Sequence, residues 1–225
     1  MHILADTSSP VPQSGVPRIL HIVRDCRGDV LGELDSPCVP AGLYPEVLLQ
    51  MAACLNDEHA SSPYQFYDLW ELILLHWFPE REGYSITHQW PIPYLEDRDG
   101  AGDVTFAVLD RDHPVVLLQV SAPRGFDNPH TRAAAEALSA SHFEHAAPYC
   151  PGDQPLCAVA ALGKKWTAFQ ATSASLTAHE ARALGEESIE WMDDIVSEPS
   201  YEMLERFFSV LKERSTSVIL PVGLR

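Results

Sequence analysis

Two apolar, strand-like runs of this chain carry polar side chains where a buried strand would be expected to have none. Asp103 opens the run 103–109, and Gln119 and Ser121 lie near the end of the run 115–121. Placing a carboxylate beside a buried sheet costs free energy unless a metal, a proton or a hydrogen-bond donor compensates it. The pattern therefore predicts a functional site on two neighbouring strands.

Other signatures of catalysis or metal binding are missing from the sequence. The ten histidines include no His-x-x-x-His pair and the cysteines no Cys-x-x-Cys pair, which argues against a zinc site. No Gly-x-Ser-x-Gly elbow surrounds Ser121, and no Walker-type or dinucleotide-type glycine motif occurs. His142 and His145 are three residues apart on a predicted helix, and we expect them on its solvent-facing surface.

The spacing of apolar residues predicts the elements that must position these side chains. Ser62 is a suitable N-cap and Pro63 a suitable first residue for a helix that ends before Pro79. Further helices are predicted over 44–55, 131–146, 177–184 and 200–214, and strands over 84–90, 103–109, 115–120, 156–162 and 166–172, with a small hairpin over 18–34. This order describes an α+β, or mixed α/β, domain whose central mixed sheet is flanked by helices on both faces.

Length and composition indicate one globular domain. The chain has 225 residues, of which 46% are hydrophobic. Residues 1–18 are rich in Pro, Ser and Gly and are predicted to form a flexible N-terminal arm, leaving 19–225 as a single domain. No apolar run approaches the length of a membrane helix, and the first residues do not resemble a secretory signal. Five scattered cysteines are typical of reduced thiols, so we expect an intracellular protein, cytoplasmic or nuclear.

The charge balance bears on the choice of partner. Thirty-two acidic and 15 basic residues give a formal charge of −17. Such a chain repels a polyanion unless its few cations are concentrated on one face, so the charge argues against tight non-specific nucleic-acid binding. Local nucleic-acid contact and a protein partner both stay open.

Four short segments carry a family resemblance. They are 102–104 around Asp103, 118–123 (Leu-Gln-Val-Ser-Ala-Pro), 131–136 (Thr-Arg-Ala-Ala-Ala-Glu) and 162–166 (Leu-Gly-Lys-Lys-Trp). Placed on a strand, the next strand, the following helix and a hairpin, they resemble the PD-(D/E)XK nuclease-like superfamily, and more narrowly fungal proteins of that type. The resemblance covers about residues 63–172 and implies a restriction-endonuclease-like core.

The resemblance also implies a site. Asp103 matches the metal-binding Asp, Gln119 takes the place of a metal-binding Glu, and Ser121 takes the place of the catalytic Lys. Glu71, on the preceding helix, either completes the metal site, as an acidic residue there can in relatives, or faces solvent. On the later hairpin turn, Lys164 is a candidate for a migrated catalytic Lys, although Lys164 and Lys165 together are also typical of a solvated turn. Mg²⁺ or Mn²⁺ would be bound weakly, because an amide replaces one carboxylate.

Two hypotheses follow, and they leave open whether the protein is an enzyme. In the first, the protein is a degenerate nuclease-like protein, catalytically weak or inactive, that acts as a binding or interaction module. In the second, it is a Mg²⁺-dependent nuclease or phosphodiesterase with an altered Asp-Gln-Ser site. The charge of −17 and the missing Lys favour the first.

Overall fold

The structure, a computed structural model, describes residues 22–24, 30–33, 44–57, 60–91, 103–151, 154–172 and 188–217. The chain divides into two compact units, Met1–Pro37 and Cys38–Arg225. In the first unit, β1 (Ile22–Arg24) pairs antiparallel with β2 (Val30–Glu33), which confirms the predicted hairpin. The predicted arm at 1–18 and the predicted helix at 177–184 lie outside the described residues.

The second unit contains the helices and the main sheet. The described helices are α1 (Glu46–Cys54), α2 (Tyr67–Trp77), α3 (Pro129–Ala146) and α4 (Glu198–Ser217). The strands are β3 (Tyr84–Pro91), β4 (Asp103–Asp110), β5 (His113–Ser121), β6 (Pro155–Leu162), β7 (Lys165–Thr172) and β8 (Ser188–Met192). Among the α-helices and strands of the described ranges, only β8 was not predicted from the sequence.

The sheet has six strands in the order β3-β4-β5-β6-β7-β8. Every neighbouring pair is antiparallel except β5 and β6, which are parallel and are connected through α3. A parallel pair requires such a crossover, whereas the antiparallel pairs β4–β5 and β6–β7 need only tight turns. The α+β class and the mixed central sheet are therefore as predicted.

Helices cover both faces of the sheet. On one face Phe143 and Ala146 of α3 pack against Ala107, Leu117 and Leu156 of three strands. On the opposite face the ring of Tyr67, at the start of α2, lies 5.6 Å from that of Phe106, and Trp166 Nε1 on β7 donates to Ser200 Oγ of α4 at 3.1 Å. These contacts define an α3 face and an α2/α4 face, and adjacent residues of a strand point to different ones.

Local sequence explains how the two central helices begin. The Ser62 hydroxyl accepts from Tyr64 N, and residues 63–66 form a 3₁₀ turn that leads into α2. Asn128 caps α3, its side-chain oxygen accepting from His130 N at 2.9 Å. The expectation of an exposed His142 was wrong: its side chain is 2% exposed, because residue 142 lies on the sheet-facing side of α3 beside Phe143.

Among the described helices, none combines the length and the apolar character that crossing a bilayer would require.

Candidate functional site

The central strands β4 and β5 separate at the end where the polar residues lie. Their pairing ends at Phe106↔Leu118, although β4 extends back to Asp103 and β5 forward to Ser121. Beyond this point β4 stays paired with β3, through Pro91↔Asp103, and β5 stays paired with β6. The two strands therefore form a fork, and continued pairing would have set Asp103 opposite Ser121.

Thr105 stands at the apex of the fork. Its hydroxyl oxygen accepts a hydrogen bond from the backbone N–H of Val120 at 3.1 Å, and its side chain is 5% exposed. The phenol of Tyr67 also bonds the Thr105 side chain, and burial raises the pKa of Tyr67 against the opposing effect of this bond. The hydroxyl thus satisfies a backbone donor that lost its ladder partner where the strands diverge.

Gln119 and Ser121 lie on the α3 face of the fork. They stand two and four residues after Leu117, which packs on α3, so their side chains point to the same side of the sheet as that of Leu117. On β6 they pair with Ala160 and Leu162. Both side chains are half-buried. Gln119 Oε1 is fully covered and has no hydrogen-bond partner, which is uncommon for a buried acceptor.

Asp103 can be placed only by its backbone. It is the first residue of β4, pairs with Pro91 and stands two positions before Thr105. Its side chain lies outside the described part of the structure. The predicted grouping of Asp103 with Gln119 therefore rests on the backbone arrangement of the fork.

Glu71 does not share the face of Gln119. Its Oε1 lies 2.9 Å from Nε2 of His88 on β3, and the His88 ring lies 4.8 Å from that of Phe106. Phe106 points to the α2/α4 face, whereas Gln119 points to the α3 face. Glu71 of α2 and Gln119 of β5, both predicted metal ligands, thus lie on opposite sides of the sheet.

The two adjacent lysines of the β6–β7 turn point to different surroundings. Lys164 Nζ lies 3.5 Å from the carbonyl of Ala52, at the end of α1, and 3.8 Å from Asp194 Oδ2. Lys165 instead pairs with Leu162 and shares the α3 face with Gln119 and Ser121. The candidate migrated cation, Lys164, is therefore engaged with α1 and with the segment after β8.

The backbone of the same turn supports the end of the fork. Gly163 N donates to Ser121 O at 3.1 Å, and the Gly163 carbonyl accepts from Trp70 Nε1 at 2.9 Å. Asp57 accepts a hydrogen bond from the backbone of Lys164, and burial, its largest influence, raises the pKa of Asp57. These contacts tie the β6–β7 turn to the end of β5, to α2 and to the residues that follow α1.

The described side chains bring together no group of three His, Cys, Asp or Glu suited to a metal ion. At the fork itself the described polar groups are neutral: the amide of Gln119 and the hydroxyls of Ser121 and Thr105. Such groups exchange hydrogen bonds with a ligand, but they supply neither the ligand charge nor the cation that metal-assisted phosphodiester hydrolysis uses.

Comparisons of the chain with protein-family models, with curated protein sequences and with solved structures found no match.

Sequence reasoning did not find one residue of this region. Thr105 looks like an ordinary strand residue, and its role depends on the divergence of β4 from β5. Of the two turn lysines, Lys165 is the one on the face of Leu162, a distinction that strand alternation counted from the turn indicates.

Proposed function

We propose that the chain is a catalytically silent protein of the PD-(D/E)XK nuclease-like type that acts as a binding module. One observation carries the proposal. The strands that would present the catalytic residues diverge into a fork, but the described groups there, on Gln119 and Ser121, are neutral. The arrangement suits recognition of a ligand better than its hydrolysis.

The order of elements supports the fold assignment. Helix α2 precedes three antiparallel strands, and α3 then leads to β6, which is parallel to β5. The resemblance noted in the sequence implies this order, with the site at the ends of the second and third strands. Asp103 and the pair Gln119 and Ser121 occur at those ends.

The surroundings of the cations support loss of catalysis. Ser121 stands where the resemblance expects a Lys, and Lys164 is engaged by Ala52 and Asp194. Lys165 shares the face of Ser121, but its ammonium lies against Phe126 and Asp193. With Ser in place of the catalytic Lys and an amide in place of a metal-binding carboxylate, Mg²⁺ or Mn²⁺ would bind weakly and activate water poorly.

The setting proposed for the module is intracellular, cytoplasmic or nuclear. No disulfide joins the described cysteines Cys54, Cys150 and Cys157 to one another, which suits a reducing compartment. The charge of −17 favours a protein or small-molecule ligand over a long nucleic acid.

A nuclease assay tests the proposal. The wild-type protein, Asp103→Ala and the double variant Gln119→Glu/Ser121→Lys are incubated with single- and double-stranded DNA and RNA in Mg²⁺ and in Mn²⁺. We expect no cleavage by the wild type. Metal-dependent cleavage that disappears in Asp103→Ala would overturn the silent assignment, and cleavage gained by the double variant would support the nuclease-like scaffold.

One observation favours the alternative of a Mg²⁺-dependent nuclease or phosphodiesterase. Gln119 Oε1 is covered and has no hydrogen-bond partner, so this oxygen is free to ligate a hard cation together with Asp103. Calorimetric titration with Mg²⁺ separates the two candidates. Binding at cellular Mg²⁺ concentrations that Gln119→Leu abolishes would favour the enzyme.

A further inference from the structure

Two cationic side chains converge on one aromatic ring beside the fork. Lys165 Nζ lies 4.3 Å from the centroid of the Phe126 ring, and the guanidinium carbon of Arg132 lies 5.2 Å from it. The separation of the two charges cannot exceed the sum of these distances. In a chain with a net charge of −17, two cations placed this close together define a local positive patch.

Hydrogen bonds and ring contacts hold the side chains of the patch in position. Arg132 Nη1 donates to the carbonyl of Phe126 at 2.8 Å, and the ring of Trp191 on β8 meets the Phe126 ring edge-on at 5.4 Å. The indole N–H of Trp191 in turn donates to Glu136 on α3. The loop after β5, the first turns of α3 and the edge strand β8 therefore hold Phe126 in place.

Two carboxylates lie near the patch, and each has a contact of its own: Glu136 accepts the Trp191 indole N–H, and Asp193 faces Lys165. Lys165 Nζ lies 3.6 Å from Asp193 Oδ1, but the Asp193 side chain is 90% exposed, so water screens this pair strongly. Arg132 forms no ion pair with any residue in the described ranges. An incoming anion would displace the exposed Asp193 carboxylate and gain two cations, while the Glu136 carboxylate stays bonded to Trp191.

The patch adjoins the fork. Across the sheet, Ser121 pairs with Leu162 and Leu162 pairs with Lys165, so the three residues form a row on the α3 face. Leu162 packs with Ala135 of α3, and Phe126 packs against the same group. A ligand bound by Arg132 and Lys165 would thus lie next to the open end of the fork.

We propose that Arg132 and Lys165, held against the Phe126 ring, bind a phosphate group, either inorganic phosphate or the phosphate of a small phosphomonoester. The guanidinium offers paired N–H donors to phosphate oxygens, and the ammonium adds a point charge. A compact anion is favoured over a polyanion because only a long ligand would meet the acidic remainder of the surface. This inference rests on the proposed binding module and names its ligand.

The experiment compares matched single-charge variants of the full-length protein. Inorganic phosphate is titrated at constant ionic strength and followed by amide chemical shifts in two-dimensional NMR, with phenyl phosphate in a parallel arm. We expect saturable shifts in residues around Phe126, with affinity lowered at least ~10-fold by Lys165→Met or Arg132→Met. Lys164→Met removes the same charge one residue away and should change affinity less than ~2-fold, because Lys164 points toward α1.

A variant that binds phosphate more tightly cannot be explained by loss of folding, as a variant that binds more weakly could be. Asp193→Asn removes the competing carboxylate, so it should tighten phosphate binding ~2- to 5-fold. Absence of saturable shifts, or equal weakening by Lys164→Met and Lys165→Met, would overturn the inference. Stronger binding of phenyl phosphate identifies a phosphomonoester as the ligand, and equal binding identifies phosphate itself.

The nuclease assay and the phosphate titration test the two proposals independently of each other. Metal-dependent cleavage by the wild type would overturn the silent function without affecting the titration. A flat titration would remove the phosphate site and leave the silent module in place.

Discussion

The hydroxyl of Thr105 accepts the backbone N–H of Val120 at 3.1 Å, at the point where β4 and β5 stop pairing. A side chain here does what a strand carbonyl would otherwise do, so the sheet can open without leaving a buried donor unpaired. The Thr105 side chain thus stabilises the fork, and its contribution to the free energy of unfolding can be measured.

Replacing the Thr105 hydroxyl should weaken the fold. Thr105→Val keeps the shape of the side chain but leaves Val120 N–H, in a residue 2% exposed, without its partner. We expect a loss of about 1–3 kcal/mol in the free energy of unfolding, measured by urea denaturation. Thr87→Val, on neighbouring β3, is the matched control and should change stability by less than about 0.5 kcal/mol; equal effects would contradict the role assigned to Thr105.

The β6–β7 turn should accept no side chain at Gly163. This residue has a φ of +67°, and an added Cβ would lie 2.7 Å from Pro123 Cβ and 2.8 Å from Asp57 Oδ1. Gly163→Ala should cost about 3 kcal/mol, combining left-handed strain with overpacking. Gly83→Ala, at a φ of +93° with no atom within 4 Å, isolates the strain and should cost about 1 kcal/mol.

Chemical denaturation of the two glycine variants measures both costs. If Gly163→Ala were no more destabilising than Gly83→Ala, the close packing of the turn against Asp57 and Pro123 would be refuted.

Stability should fall on mild acidification because of His76. Burial, and secondarily the charge of Lys212, lower the pKa of His76 in the folded state. The unfolded chain, with a His pKa of about 6.5, then binds more protons, so stability rises with pH in this range. It is fully present above the unfolded pKa and is lost as the pH falls from there through the lowered folded pKa.

Urea midpoints between pH 8 and pH 5 test the His76 prediction. The difference between wild type and His76→Gln should carry this slope, whereas His113→Gln, at an exposed position, should leave it unchanged. A slope that persists in His76→Gln would assign it to another group.

The three described thiols should react with alkylating reagents at very different rates. Cys54 is exposed, whereas burial raises the pKa of Cys150 to about 12 and that of Cys157 well above its usual value. At pH 8 the thiolate fraction of Cys150 is then on the order of 10³ lower than that of an ordinary cysteine. Peptide mass spectrometry after iodoacetamide treatment should find Cys54 modified first and Cys157 only after unfolding; early labelling of Cys157 would show that β6 opens readily.

Much of the architecture could be predicted because its signals are local. The apolar spacing after Ser62 and the cap itself predicted α2, and the turn at Gly163 predicted the β6–β7 hairpin. Strand β8 was missed because five residues with one buried side chain, Ile189, carry little periodicity. His142 was misjudged because its neighbours in sequence do not indicate which side of α3 meets the sheet.

The sequence by itself determined the α+β class, the elements other than β8, and the polar residues at the ends of β4 and β5, since caps, turns and periodicity act over a few residues. Only the tertiary structure decided that the two strands diverge at Thr105. It also set Glu71 and Gln119 on opposite faces, and turned Lys164 toward α1 while Lys165 faces Phe126. Alternation fixes the relative direction of side chains within one strand, but the helix that covers each face is chosen by packing between segments far apart in the chain.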